Sequence, residues 1–460
     1  MRIRFLGQHL SVGLLLLGLA ETLAALLACW LVCSVSADVR VENWRVWTHT
    51  LVFGGFILVM MTALGLFSVR QRFGVAGALL RITISVCLGG VLATLLLRLW
   101  PDLWLPRSVG VKATLLAWAL VSAVRLGAGR LLDDDRLKPS VLVVGAGRRA
   151  VSISQLRRRS DRRGFVVAGY VSIPGEPAQV PATQILGSQE SLLRCAKERD
   201  VDEIVVAMDD RRHNFPLREL LACRLAGIKV TELVAFLERE TGKVYLDVLN
   251  PSWMIFGEGF NVGRWTQFWE RAFDLVASLC LLVIASPFLI GGILAIKIEE
   301  GLSAPVFYRQ IRVGLNGEPF GVLKLRSMRV NAEAAGAQWA VKADPRVTRV
   351  GSFIRKVRID ELPQILNVLK GDMSFVGPRP ERPEFVEKLV ESIPYYSERH
   401  CVKPGITGWA QLCYPYGASE KDSLEKLQYD LYYIKNHGLV FDILILLQTV
   451  EVVLMSKGAR

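Results

Sequence analysis

Two adjacent carboxylates, Asp360 and Glu361, stand at the head of a short apolar-periodic run, Leu362, Ile365, Leu366 and Leu369. That i, i+3, i+4, i+7 spacing predicts an amphipathic helix, with Gly371 as its stop. On such a helix Asp360, Gln364 and Asn367 share one face, away from the apolar stripe. The plainest use of the two acids is structural, Asp360 as an N-cap and Glu361 as a first-turn acid. The flanking charge points further. From Arg309 to Arg358 the chain carries eleven basic residues, Lys324, Arg326 and Arg358 among them, against three acids, Glu318, Glu333 and Asp344. That surplus suits a multiply charged anion such as a phosphate ester. It equally suits a basic face lying on anionic lipid. A carboxylate among cations is expected to stay ionised, because opposite charge lowers its pKa. An ionised Asp beside bound phosphate is a candidate nucleophile for an acyl phosphate.

Further candidates lie on either side. Lys324 and Arg326 alternate with apolar neighbours in Val322–Met328, as on a half-buried strand whose polar side faces a site. Gly377-Pro-Arg-Pro380 reads as a rigid turn that presents Arg379 to a nucleotide phosphate. Gln364 and Pro378 complete the candidate substrate-binding set. Lys403-Pro-Gly-Ile-Thr-Gly-Trp409 is a second constrained loop, which places Trp409 at a membrane interface or near a base without choosing between them.

The elements that must position these residues are partly membrane-borne. In 460 residues, 52% are hydrophobic and the net charge is +13, which points to a membrane protein with soluble parts and anionic partners. No motif supports nucleic acid. Eight cysteines without a C-x-x-C pair and five scattered histidines indicate neither a disulfide framework nor a transition-metal site. Apolar segments near 10–33, 49–69, 79–99 and 109–131 can each cross a bilayer, giving a four-helix bundle over 1–133. Arg70, Arg72 and Arg81 flank the second and third segments, which puts the N-terminus and the soluble parts in the cytoplasm by the positive-inside rule. Trp44, Trp47, Trp100 and Trp104 sit where interfacial anchors belong.

Asp133–Asp135 marks a boundary, and residues 138–240 read as an α/β Rossmann-like domain. Its strands are expected at Ser140–Val144, Phe165–Val171, Glu203–Ala207 and Ile228–Glu232. Gly145-Ala-Gly147 with Ala150 fits a G-x-G-x-x-A turn, so Gly145 and Gly147 are weak candidates for nucleotide binding. No acid closes the second strand to hold a ribose, and no Y-x-x-x-K pair follows. A structural or regulatory domain is therefore favoured over an NAD-binding one. Residues 241–265 read as a β linker in which Trp253, Phe256 and Phe260 serve packing. Leu275 to Ile296 is uncharged and long enough to span a membrane, with Ser286-Pro287 at mid-segment.

Three ordered strings then carry a family resemblance: YRQIRVGLNGEPFGVLKLRSM (308–328), DPRVTRVGSFIRKVRIDELPQILNVLKGDMSFVGPRPE (344–381) and KPGITGWAQL (403–412). They resemble the bacterial sugar transferase family, the polyprenyl-phosphate glycosyl-1-phosphate transferases or monotopic phosphoglycosyl transferases. The likeness is close over 266–460, and the whole chain is similar to the large members. The resemblance implies a membrane α-helical bundle, an α/β Rossmann-like domain and an α+β monotopic catalytic domain over 301–460. It also implies that 266–300 is a re-entrant membrane helix broken at Ser286 and Pro287. Parity argues the same way, since a fifth crossing would put the basic module outside the cytoplasm, away from nucleotide-activated sugars. The acids of Leu424–Leu454, Asp430 and Asp442, favour helices lying on the membrane surface there.

The implied reaction moves a sugar 1-phosphate from a UDP-sugar to undecaprenyl phosphate, in exopolysaccharide or related glycan assembly at the bacterial inner membrane. Asp360 attacks, UMP leaves, and the lipid phosphate resolves a phospho-sugar–aspartyl intermediate. Glu361 helps hold Mg²⁺, while Lys324, Arg326, Arg358 and Arg379 stabilise phosphoryl charge. Large members often dimerise, and the sugar is left open. The rival expectations are a membrane-tethered nucleotide-sugar dehydratase or epimerase and a non-catalytic, nucleotide-sensing scaffold.

Overall fold

The computed structural model describes the chain except residues 1, 6–7, 37–42, 68–74, 101–102, 104, 133–137, 160–164, 189–191, 211, 213, 250–262, 331–345, 415–416, 418 and 455–460. Its contacts divide it into two compact units, residues 1–5 with 9–253 and residues 6–8 with 254–460. The acidic boundary at 133–135, Arg70, Arg72, Trp104 and the aromatic residues Trp253, Phe256 and Phe260 lie outside the described residues.

The first unit opens with four apolar helices, α1 (Val12–Val35), α2 (Asn43–Ala63), α3 (Val75–Arg98) and α4 (Arg107–Leu132). Apolar surface gains nothing by leaving lipid, so such helices associate through close packing of small side chains. Ala24, Ala25 and Ala28 of α1 and Ala113 and Ala117 of α4 are buried in the shared core. A side chain at Gly89 of α3 would meet the Ile57 backbone of α2 at 2.9 Å. Some ionisable groups of the bundle have internal partners. The Arg125 guanidinium meets the Glu21 carboxylate at 2.6 and 2.9 Å, joining α4 to α1. Arg81, one of the charges read as flanking the apolar segments, lies within α3, is buried and donates to the Leu64 carbonyl at 2.6 Å.

The same unit contains a five-stranded parallel sheet: β1 (Ser140–Val144), β2 (Val166–Ser172), β3 (Ile185–Ser188), β4 (Glu203–Val206) and β5 (Lys229–Glu232). The strand order is β3-β2-β1-β4-β5. Every neighbouring pair is parallel. Apolar cores lie on both faces, one on Val141, Val143 and Phe236, the other on Leu142, Val144 and Leu220. That accounts for the uninterrupted apolar β1, since a strand covered on both faces has no solvent side. The helices are α5 (Arg148–Arg159), α6 (Leu192–Glu198), α7 (Leu217–Leu225) and α8 (Leu233–Thr241). Of the residues expected to form a β linker, 241–249 hold the end of α8 and a 3₁₀ turn, Leu246–Val248, and 250–262 lie outside the described residues.

The second unit begins with α9, a 37-residue helix from Arg264 to Glu300 with Pro287 inside it. The proline removes the N–H that would bond the Val283 carbonyl. Ser286 replaces it, its hydroxyl donating to that carbonyl at 2.8 Å. Val276, Val283, Ile284 and Phe288 are more than half exposed, so this helix presents a broad apolar surface. In all, five helices of the described residues are long and apolar enough to cross a membrane.

After α9 come an antiparallel hairpin, β6 (Phe307–Val313) with β7 (Pro319–Leu325), and a short helix, α10 (Arg349–Lys356). A 3₁₀ turn, Ile359–Glu361, leads into α11 (Gln364–Lys370). The unit continues with β8 (Ser374–Val376), α12 (Pro383–Ser392), β9 (Gly405–Thr407), α13 (Trp409–Cys413), α14 (Glu420–Asn436) and α15 (Leu439–Leu454). β8 and β9 pair in parallel. Their loops approach so closely that a Cβ on Gly377 would lie 2.3 Å from the Lys403 carbonyl oxygen, and one on Gly408 2.2 Å from the Gly377 oxygen. Only glycine permits that interlock.

Candidate active site

The Asp360–Glu361 pair sits on a 3₁₀ turn, not on the first turn of the expected helix, which starts at Gln364. The residue before the turn, Arg358, is left-handed at φ 58°. That conformation is costly for arginine and is held by its surroundings. The buried face is wider than the apolar stripe. Asp360, Gln364 and Asn367 are buried along with Ile365, and of the stripe Leu366 is 44% exposed. Asn367 shows what holds the polar face inside: its amide donates to the Gly321 carbonyl at 2.8 Å and accepts from the Leu323 N–H at 3.0 Å, stitching α11 to β7.

The segment is fixed at both ends by α9. The Glu299 carboxylate accepts from the Arg349 and Val350 N–H groups at 2.9 Å each, capping the start of α10. Arg271 donates to the Val368 and Leu369 carbonyls at 2.6 and 2.7 Å, capping the end of α11. Orphan groups of two short helices, which would otherwise fray, are thus satisfied by one long apolar helix. Ile296 and Leu325 meet in a small core beneath, with Ile359 packed against it.

The two acids have opposite surroundings. Glu361 lies 3.6 Å from Lys324, 3.4 Å from Arg358 and 3.4 Å from Arg379. Burial would raise its pKa, but Arg379, Lys324 and Arg358 outweigh it and hold the carboxyl down at about 2. Asp360 departs from expectation. Burial, and then the charge of Glu361, push its pKa up to about 6, against the opposing pull of Lys324, Arg355 and Arg358. The cations are spent on its neighbour. At pH 7 the ionised form of Asp360 is still the main one, and among the described residues no hydrogen bond reaches its carboxylate. Its lone pairs are open to an electrophile. Lys324 is pushed down by burial, opposed by Glu361 and reinforced by the nearby charges of Arg379 and Arg312.

A pocket beside the pair is lined by Arg312, Lys324, Gln364, Arg379, Pro380 and Gly405. Of the residues expected in the site, Lys324, Gln364, Arg358 and Arg379 are brought together. Arg326 is not: its guanidinium donates to the Pro305 carbonyl at 3.0 Å and lies over the Tyr308 ring at 5.9 Å. β7 has ended at Leu325, so strand alternation no longer aims Arg326 with Lys324. Pro378 is buried and its carbonyl accepts from Gly405 N–H at 3.0 Å, so Pro380 supplies the lining instead.

The region 265–456 matches the family described as bacterial sugar transferase. The chain is 33% identical over 351 residues to the UDP-glucose:undecaprenyl-phosphate glucose-1-phosphate transferase of Escherichia coli K12, covering 74% of this chain and 72% of that one. The chain belongs to the bacterial sugar transferase family. It is 42% identical over 243 residues to the UDP-N-acetylgalactosamine-undecaprenyl-phosphate N-acetylgalactosaminephosphotransferase of Aeromonas hydrophila, covering 53% of this chain and 56% of that relative. It is 31% identical over 339 residues to the undecaprenyl-phosphate galactose phosphotransferase of Salmonella typhimurium, covering 70% of this chain and 69% of that one.

Two further findings concern what this sugar transferase family member holds outside the acid pair. In the first unit, Gly145 has φ 115° and Gly147 opens α5, as a phosphate cradle requires. The cradle is filled from within. The Asp209 carboxylate accepts from the Arg148 and Arg149 N–H groups at 2.9 and 2.8 Å. A Cβ on Gly147 would lie 2.3 Å from Asp209 Oδ2 and 2.5 Å from Glu176 Oε1. In the second unit, the acids expected on the membrane surface are buried instead. Asp430 pairs with Arg399 at 2.8 Å, and Tyr433 donates to Asp442 at 2.8 Å. Trp409 stacks on Tyr432 at 6.1 Å and meets Phe441 edge-on at 5.1 Å. Arg312, Arg399 and the two capping residues of α9 escaped sequence reasoning. Nothing in their local patterns separates them from ordinary surface charge.

Proposed function

We propose that this protein transfers a sugar 1-phosphate from a UDP-sugar to undecaprenyl phosphate. The observation that carries the proposal is the contrast within the acid pair, one buried carboxylate open to attack and one held among three cations. In the proposed sequence an Asp360 oxygen forms a bond to the sugar-side phosphorus while the bond to the bridging oxygen breaks, and UMP takes that electron pair. A phosphate oxygen of the lipid then attacks the phospho-sugar–aspartyl group, and Asp360 leaves as its carboxylate. Lys324, Arg358 and Arg379 would meet the phosphoryl charge as it spreads.

The donor set would suit Mg²⁺ carried in on substrate phosphates: two adjacent carboxylates, one ionised far below neutrality, with Lys324, Arg358 and Arg379 beside it at 3.4–3.6 Å. Glu361 would hold the ion together with substrate phosphate oxygens, and the ion would supply charge neutralisation for the diphosphate.

The membrane setting follows from a lipid acceptor meeting a soluble donor. We read α9 as re-entrant, entering and leaving one leaflet at Ser286-Pro287, because residues near both its ends cap the active-site segment. The parallel sheet is read as a Rossmann-like domain facing the cytoplasm, and the bundle as an anchor in the bacterial inner membrane. The dehydratase or epimerase reading is weakened by Asp209, which occupies the place a dinucleotide phosphate needs.

The test is UMP release by detergent-held protein given undecaprenyl phosphate, Mg²⁺ and a panel of UDP-glucose, UDP-galactose and UDP-N-acetylgalactosamine. Release with one donor, lost in Asp360→Asn, is expected. Undiminished release in that variant would overturn the nucleophile.

A further inference from the structure

Arg379 reaches Glu361 from a loop with no regular structure, Gly377–Arg382, between β8 and α12. Such a loop can aim a charged side chain only if its backbone is fixed from outside. Here four consecutive carbonyls each find a different donor. Pro378 accepts from Gly405 N–H at 3.0 Å and Glu381 from Val313 N–H at 2.9 Å. Pro380 accepts from the Arg312 guanidinium at 3.1 Å. The carbonyl of Arg379 itself accepts from Arg399 Nη2 at 3.0 Å.

Arg399 is an unusual donor. It is 6% exposed and lies under the loop, not on the pocket wall. The same Nη2 bonds Asp430 at 2.8 Å, and Nη1 bonds the Tyr396 hydroxyl at 2.6 Å. Asp430 and Tyr396 are each 2% exposed. A buried ion pair of this kind is a poor way to gain stability, since apolar residues of similar volume commonly do as well. What apolar residues cannot do is donate to the Arg379 carbonyl.

We infer that Arg399, oriented by Asp430 and Tyr396, is a positioning residue that sets the reach of Arg379 toward the nucleotide diphosphate. The inference rests on the transferase reading above. It assigns Arg399 no contact with substrate. Its effect passes through one carbonyl, so it falls on donor recognition and leaves the lipid acceptor alone.

The experiment compares full-length wild type, Arg399→Met and the double variant Arg399→Met/Asp430→Leu. Three quantities are read: melting temperature in detergent, KM for the active UDP-sugar and for undecaprenyl phosphate, and UMP affinity by calorimetry. Arg399→Met alone leaves Asp430 buried without a partner, and its melting temperature falls. The double variant removes the stranded charge and recovers the wild-type melting temperature. In both, donor KM and UMP dissociation constant rise by on the order of tenfold or more, with the acceptor KM unchanged. A double variant that recovers donor KM along with stability overturns the inference, because Arg399 is then only a core residue. Equal rises in donor and acceptor KM overturn it too. Should wild type bind UMP but turn over no donor, the transferase reading fails while the UMP affinities still decide the role of Arg399. Should wild type bind no UMP, both fall.

Discussion

Replacing Asp360 by Asn removes a carboxylate whose ionised form the fold disfavours. Its pKa stands at about 6 against an ordinary 3.8, raised by burial and by the charge of Glu361. Each pKa unit is worth about 1.4 kcal/mol, so keeping this group ionised at neutral pH costs the folded state about 3 kcal/mol. The direction is set by linkage. Because the folded pKa lies above the unfolded one, the favourable contribution is complete below about pH 4 and is lost as pH rises through about 6. The uncharged amide of Asp360→Asn mimics the protonated acid at every pH. The variant therefore unfolds at a higher temperature than wild type at about pH 7.5, by several degrees at roughly 2–4 °C per kcal/mol. The difference shrinks as pH falls, to about a third at pH 4.5, and approaches zero below about pH 4, where the unfolded carboxyl is protonated as well. Tryptophan fluorescence during heating in detergent, run across pH on both proteins, measures it. A variant that melts lower at neutral pH, or a gap that does not change with pH, refutes the reasoning. Stability gained with turnover lost would mark Asp360 as a residue kept for chemistry at the expense of the fold.

Turnover itself should follow the same group: the rate falls with unit slope as pH drops through about 6, the pKa of Asp360, and Glu361 at about 2 adds no limb above it; a flat profile between pH 5 and 8 counts against Asp360 acting as its anion. In the bundle, Arg125→Leu strands the fully buried Glu21 and should cost about 3–5 kcal/mol of stability, while Glu21→Leu/Arg125→Leu recovers most of it; detergent melting curves compare the three. Gly147→Ala drives a methyl to 2.3 Å from the Asp209 carboxylate and should destabilise the sheet domain by about 1–3 kcal/mol. The untouched chain should show no calorimetric binding of NAD, whose pyrophosphate would compete with Asp209 for the start of α5.

Much of the architecture was legible because it rests on local patterns. The bundle helices are long apolar runs, and four strands of the sheet fall within a residue or two of their expected ends. β3 was not legible: Ile185–Ser188 is four residues at a sheet edge, too short to show a period. Within the site, a grouping of Lys324, Arg358 and Arg379 near the acid pair follows from charge surplus and rigid-turn chemistry. The burial of α11's polar face could not be read that way, because Asn367 is held inside by hydrogen bonds to a strand 44 and 46 positions away in sequence. The pKa of Asp360 was misread for a related reason. Composition counts cations, whereas burial and the position of Glu361 decide which acid they serve. Asp430 and Asp442 look like surface acids on amphipathic helices, and only their partners Arg399 and Tyr433 reveal them as interior.

The nucleophile is the central claim, and it is tested most directly without the lipid acceptor. Purified protein with Mg²⁺ and a UDP-sugar labelled in the sugar should release UMP in a burst. The label should remain on the peptide containing Asp360, absent in Asp360→Asn and discharged when undecaprenyl phosphate is added. Full turnover on adding both substrates, with no protein-bound label at any time and undiminished in Asp360→Asn, would contradict the account.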